Sequence, residues 1–282
     1  MARPHIEFIQ TQALDWRMLS DESARPGVQA KLLSRDPETD ALTAILRYPA
    51  GWALEQDHYL DSDEELFVLD GTLSVGNIAY EKGDYAYLPA GYPRGAMRTP
   101  GGADVLTYFE GPHNRISGAP PEGLYDARKL VERISSSTAE WGSATDPKVK
   151  APGVKRLGLR KDPDTGDATW LLDIDETGMT GEVNRLETHP VVEEVFVLSG
   201  EMHMPMGVLK QGAYFWRPPG IAHGPVGTKT GALGIYRCKG GPLTTEWSDE
   251  SYPVPWDSPY APELPDAVAR QLANSYDGSL PY

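Results

Sequence analysis

A chain of 282 residues has room for one large domain or two ordinary ones, each able to bury its own core. Its formal net charge of −15, with no basic cluster, argues against nucleic-acid backbones or anionic membranes as partners. The 29 glycines and 25 prolines exceed the usual ~7% and ~5%, which suits many short strands better than a helical bundle.

No window approaches the ~18 apolar residues that a membrane span needs, and the N-terminus (MARPHIEFIQ) lacks a secretory layout. Cys238 is the single cysteine, so no internal disulfide forms and a reducing, cytoplasmic compartment is expected.

Taken in chain order, the elements repeat. Strands are predicted at 41–48, 65–69, 72–78, 84–88 and 104–109, all β-branched or aromatic runs bounded by turn residues. Residues 116–138 begin Pro-rich and then suit a short helix built on Leu124, Leu130 and Ile134. A second set of strands follows: ATWLLDI, EVFVL, EMHMPMGV, AYFWR and ALGIYRC. In the tail, 243–282, Leu264, Val268 and Leu272 stand at i, i+4, i+8 and predict one terminal helix. The tail's aromatic content suits packing over a barrel or against a second subunit in a homodimer.

The two strand sets are copies. Pro26-Gly27-Val28 and Arg35 to Thr39 recur as Pro152-Gly153-Val154 and Lys161 to Thr165, a shift of 126 from Pro37 to Pro163. Glu64 to Gly71 recur as Glu193 to Gly200, a shift of 129, and Gly83, Pro89 and Gly91 match Gly212, Pro218 and Gly220 at the same 129. The expected fold is all-β: two barrels from an internal duplication, with a few short helices. The expected boundaries are 1–115 for the N-terminal barrel, 116–138 for a linker, 139–242 for the C-terminal barrel and 243–282 for the tail.

Chemistry concentrates in the second copy. Glu187 and His189 are two residues apart and face one side of a strand. Glu193 re-enters on the next strand, and His223 follows the Pro218-x-Gly220 turn. Two imidazoles and a carboxylate aimed at one interior point suit a divalent metal, and an apolar interior does not tolerate them otherwise. Glu187 is open between a further ligand, an acceptor behind a ligand histidine, and a catalytic base. His203 aligns with Ser74, opposite the apolar face of Met202 and Met204, and is expected at the surface or in an interface.

This layout resembles the cupin superfamily, whose motifs are G-x5-H-x-H-x3-4-E-x6-G and G-x5-P-x-G-x2-H-x3-N. His189 matches the second histidine, Glu193 the glutamate and Gly200 the closing glycine. Gly212, Pro218, Gly220 and His223 match the second motif. Glu187 stands in the first-histidine position, and Gly227 replaces the final asparagine. The stretch from Tyr214 to Pro219 is also similar to the cupin domain of zinc-dependent anti-sigma factors.

The first copy keeps His58 and Glu64, but Leu60 replaces the second histidine and Arg94 the last. Arginine stays protonated and does not ligate metals, so this site is read as degenerate. Arg94 is expected to supply beside Glu64 the charge that an ion would supply. An Arg-lined pocket for an anionic ligand is the alternative.

The resemblance implies a bicupin with one divalent metal per chain: iron first, with zinc, manganese or nickel as alternatives. Two histidines and a carboxylate leave open positions on one side of the ion, as in non-haem Fe(II) oxygenases. A dioxygenase acting on a small enolisable or phenolic compound is the first expectation. The alternatives are a Lewis-acid isomerase, lyase or hydrolase, and a metal-binding sensor or small-molecule-binding cupin.

Overall fold

The β-branched and aromatic runs form strands at the expected places in the computed structural model, which describes residues 3–143, 153–176, 184–269 and 272. Of the repeat landmarks, Pro152 lies outside the described residues. The chain divides into two compact units, one of 1–3 and 15–139 and one of 4–14 and 140–282.

In the first unit the strand order is Val131–Ser135, Asp84–Leu88, Glu64–Val75, Ala103–Phe109, Leu42–Tyr48, Gln29–Arg35 and Arg17–Met18. A second small sheet pairs His58–Leu60 with Arg115–Ser117. The interior is filled by inward side chains of alternating positions, including Leu46, Leu66, Val68 and Val105.

The second unit repeats this order as Ile6–Gln10, Ala213–Arg217, Val192–Met204, Ala232–Lys239, Ala168–Ile174, Val154–Lys161 and Gly142–Ser143. Its small sheet pairs Arg185–Thr188 with Glu246–Ser251 from the tail. Val195, Val197, Phe215, Met202 and Met204 fill its core, the methionines facing inward as their alternation predicts.

Three expectations change. The strands expected to break at Gly71 and Gly200 run through, as Glu64–Val75 and Val192–Met204. Each glycine lies just past a register shift, with φ of 76° and 74°. A Cβ there would stand 2.2 or 2.1 Å from the carbonyl oxygen of Gly102 or Gly231, so only glycine lets the ladder continue through the bulge.

The helix expected in 116–138 does not form. Val131–Ser135 is a strand covering the edge of Asp84–Leu88, with Ile134 opposite Tyr85. An exposed sheet edge has unmade backbone hydrogen bonds to satisfy, and this outweighs a three-residue helical pattern. The terminal helix does form, as one turn at Asp266–Ala269.

Residues 4–14, expected to open the N-terminal barrel, belong to the second unit. Ile6 pairs with Trp216 and Ile9 with Tyr214; in the first unit Val131 pairs with Tyr87 and Ile134 with Tyr85. The two leading strands thus occupy equivalent edges in exchanged units.

Candidate metal centre

Backbone bridges set the geometry of both barrel centres. In the second unit, Glu187 and His223 exchange hydrogen bonds (Glu187 N–H to His223 O, 2.9 Å, and the reverse, 3.0 Å), and Gly220 N–H donates to His189 O at 2.9 Å. In the first unit, His58 and Arg94 exchange the same pair at 3.0 and 2.8 Å, and Gly91 N–H donates to Leu60 O at 2.8 Å. The repeat is therefore matched residue by residue at both centres.

In the second unit, ligand-type atoms of Glu187, His189 and His223 all lie within 4.8 Å of one another. His223 Nε2 is 3.4 Å from Glu187 Oε1 and 3.4 Å from Glu193 Oε2, and His189 Nε2 is 3.8 Å from Glu187 Oε2 and 3.9 Å from Glu193 Oε1. Glu193 therefore approaches both imidazoles, but Arg217 Nη1 donates to its Oε2.

Each imidazole has its Nδ1 on a backbone carbonyl: His189 on Thr244 O at 2.9 Å and His223 on Ile221 O at 3.0 Å. That fixes the proton on Nδ1 and turns the Nε2 lone pair inward. Both Nε2 atoms are buried and have no hydrogen-bond partner. An unpaired buried acceptor costs about 1–3 kcal/mol, and two facing carboxylates answer that need with a cation, so the residues present fit a metal ion.

Burial pushes the Glu187 carboxyl up, but His223 and the further charges of His189 and Arg217 outweigh it and hold the group below its ordinary range. With 25% of its side chain exposed, Glu187 is the member of the set that solvent reaches most easily.

The sequence reading missed two members of this centre. Arg217 ends the Ala213–Arg217 strand with 1% exposure, and beyond Glu193 it binds Glu7, donating from Nε at 2.8 Å and from Nη2. Glu7 comes from the edge strand Ile6–Gln10 and is 1% exposed. The available signals were a charged residue inside each of two apolar runs, IEFIQ and AYFWR, and the leucine (Leu88) that copy one has in place of Arg217.

His203 is not at the surface. It is 2% exposed, its Nε2 is 3.1 Å from Glu201 Oε1, and the Trp256 ring stands edge-on at 5.0 Å. The same tail segment accounts for Gly227. A Cβ there would meet Val254 Cγ1 at 2.4 Å and Trp256 Cη2 at 2.7 Å, so the position of the motif's asparagine is taken by the tail.

The first unit's centre is built on charge. Arg25 Nη2 donates to both oxygens of Glu64, at 3.0 and 2.9 Å, and Arg94 Nη1 donates to Oε2. All three are 1% exposed. Arg25 was also missed; copy two has Ala151 at its place, so the two copies differ in charge there. His58 keeps its Nδ1 on Gln56 O at 3.1 Å, and burial, with the charge of Arg25, pushes its pKa down to about 4.

The ChrR cupin-like domain matches the chain twice, over residues 5–112 and 130–241. Both matches begin with a leading strand, so the family unit includes the exchanged edges. Among solved structures, a candidate dioxygenase from Nostoc punctiforme superposes with a TM-score of 0.78 at 18% identity, covering 89% of this chain and 92% of that one. A variant of Bacillus subtilis oxalate decarboxylase superposes with a TM-score of 0.54 at 13% identity, covering 86% and 79%. At these identities the likeness shows the fold. No curated protein matches this sequence. Matched twice over most of its length, the chain belongs to the ChrR cupin-like domain family as a two-barrel member.

Proposed function

We propose that the protein is a metal-dependent enzyme, a non-haem iron dioxygenase that adds O₂ to a small enolisable or phenolic compound. The observation that carries this reading is the pair of buried Nε2 atoms of His189 and His223, which make no hydrogen bond and face the Glu187 carboxylate. Glu187, His189 and His223 would hold a divalent ion, and two imidazoles with one carboxylate are a donor set that suits iron. A bound divalent ion supplies Lewis acidity and, when it is iron, an electron source for oxygen.

The chain's own residues do the rest. His189, His223 and Glu187 hold the ion. Glu193, tied to Arg217, adds charge without freedom to move. Glu187, the most exposed of the set, has a second oxygen with which to accept a proton from an enol or phenol. The likeness to the candidate dioxygenase supports oxygen chemistry. The weaker likeness to oxalate decarboxylase supports the second reading, a lyase using the ion as Lewis acid only.

Elemental analysis of freshly purified protein, followed by oxygen uptake with a panel of β-diketones and catechols, tests the proposal. One equivalent of iron, lost in His223→Ala, with substrate-dependent uptake is expected. Tightly bound zinc without uptake would turn the choice to the lyase. No bound metal under any loading condition would end both readings.

A further inference from the structure

A guanidinium beside a divalent cation weakens the cation's binding, and inside a protein that repulsion is far less screened than in water. Arg217 is in that position, one carboxylate away from the two imidazoles. Glu187 and Glu193 against Arg217 leave a net charge of −1, one short of matching a divalent ion.

Glu7 supplies the missing charge. It accepts from Nε and Nη2 of Arg217, the face of the guanidinium turned away from Glu193. Its backbone is held on both sides: the strand pairs with Ala213–Arg217, and Glu7 and Glu263 exchange backbone hydrogen bonds of 2.8 and 2.6 Å. Burial pushes the Glu7 carboxyl up, but the His5 hydrogen bond at 3.2 Å and the Arg217 charge outweigh it and keep the group ionised.

The first unit is an internal control. Val131 faces Tyr87 as Ile6 faces Trp216, which puts Glu132 in the place of Glu7. Leu88 stands where Arg217 does, and there Glu132 is exposed. The glutamate is turned inward in the barrel that has the arginine and two ligand-type histidines, and not in the other.

We propose that Glu7 is a positioning residue of the metal centre: by neutralising Arg217 it holds Glu193 in place and brings the set to −2, matched to a divalent ion. This rests on the metal-binding reading above. The test is titration of Zn²⁺ into metal-free full-length protein against a chromophoric chelator, with apo melting temperature as the fold control. The parent is expected to bind one equivalent, and Glu7→Gln about 10- to 100-fold more weakly.

Removing both charges, Glu7→Gln with Arg217→Gln, leaves Glu187 and Glu193 at −2 and should restore most of the lost affinity. Glu7→Asp keeps the charge and should stay close to the parent, whereas a packing role would penalise it as heavily as Glu7→Gln. If the parent binds and Glu7→Gln binds equally well, or if Glu7→Asp is as weak as Glu7→Gln, the inference is wrong and the metal reading stands. A parent that binds no zinc overturns both.

Discussion

Glu64 sits between two buried guanidiniums, and this determines what each substitution in the N-terminal barrel should do. Removing one partner of a buried ion pair costs on the order of 3–5 kcal/mol, because the remaining charge is left uncompensated. Arg94→Met leaves Glu64 with both oxygens on Arg25, so its cost should be the smaller one. Glu64→Gln leaves Arg25 and Arg94 facing each other, so it should lower the melting temperature most. Adding Arg94→Met to Glu64→Gln should recover part of the loss. Additive losses in the double variant would show that the cluster is not held by charge.

His58, in the same cluster, titrates low, near 4, against an ordinary value of about 6.5. Its neutral form is favoured by folding. That contribution is present above about pH 6.5 and is lost as the pH falls toward 4. His58→Gln should therefore flatten the acid side of the melting-temperature profile between those limits. Parallel profiles for parent and variant would count against it.

At the level of elements, the long strands depend on the bulges that let them bend into both faces of each barrel. Gly200→Ala would place a methyl group 2.1 Å from Gly231 O at a φ of 74°. Relief requires a break in the pairing of Val192–Met204 with Ala232–Lys239 around Ser199↔Leu233 and Gly200↔Ala232, at the end of the ladder away from Glu193. The substitution should cost well over the ~1 kcal/mol of an ordinary Gly→Ala mismatch, read as a lowered melting temperature. A variant that melts like the parent would mean that the bulge is tolerant. The tail matters in the same way. Glu246–Ser251 pairs with the strand carrying Glu187, and Thr244 O fixes the His189 tautomer, so this end of the site is built from residues beyond the repeat.

Across the whole molecule, the duplication, the strands and the approach of His189, Glu193 and His223 were legible, because period-two alternation and motif spacing are properties of the sequence itself, whereas the sequence leaves Glu187 open between a ligand, an acceptor and a base. The second centre's arginine and the origin of Glu7 were not. A single charged residue in an apolar run does not say which edge its strand joins, and edge pairing is decided by which sheet lacks a neighbour. The exchanged leading strands give the last prediction. Ile9 is fully buried on the edge strand beside Ala213–Arg217, while Ile134 faces Tyr85 beside Asp84–Leu88. A charge at either position should loosen the edge that the strand covers, most at the fully buried Ile9, where a lysine would have no partner, and less at the half-buried Ile134. In hydrogen-exchange mass spectrometry, Ile9→Lys should speed exchange in 213–217 and leave 84–88 protected. Ile134→Lys should do the reverse. Order along the chain would predict the opposite, since residue 9 precedes the first copy and residue 134 the second. If each variant instead loosens the copy that follows it in sequence, the leading strands are not exchanged.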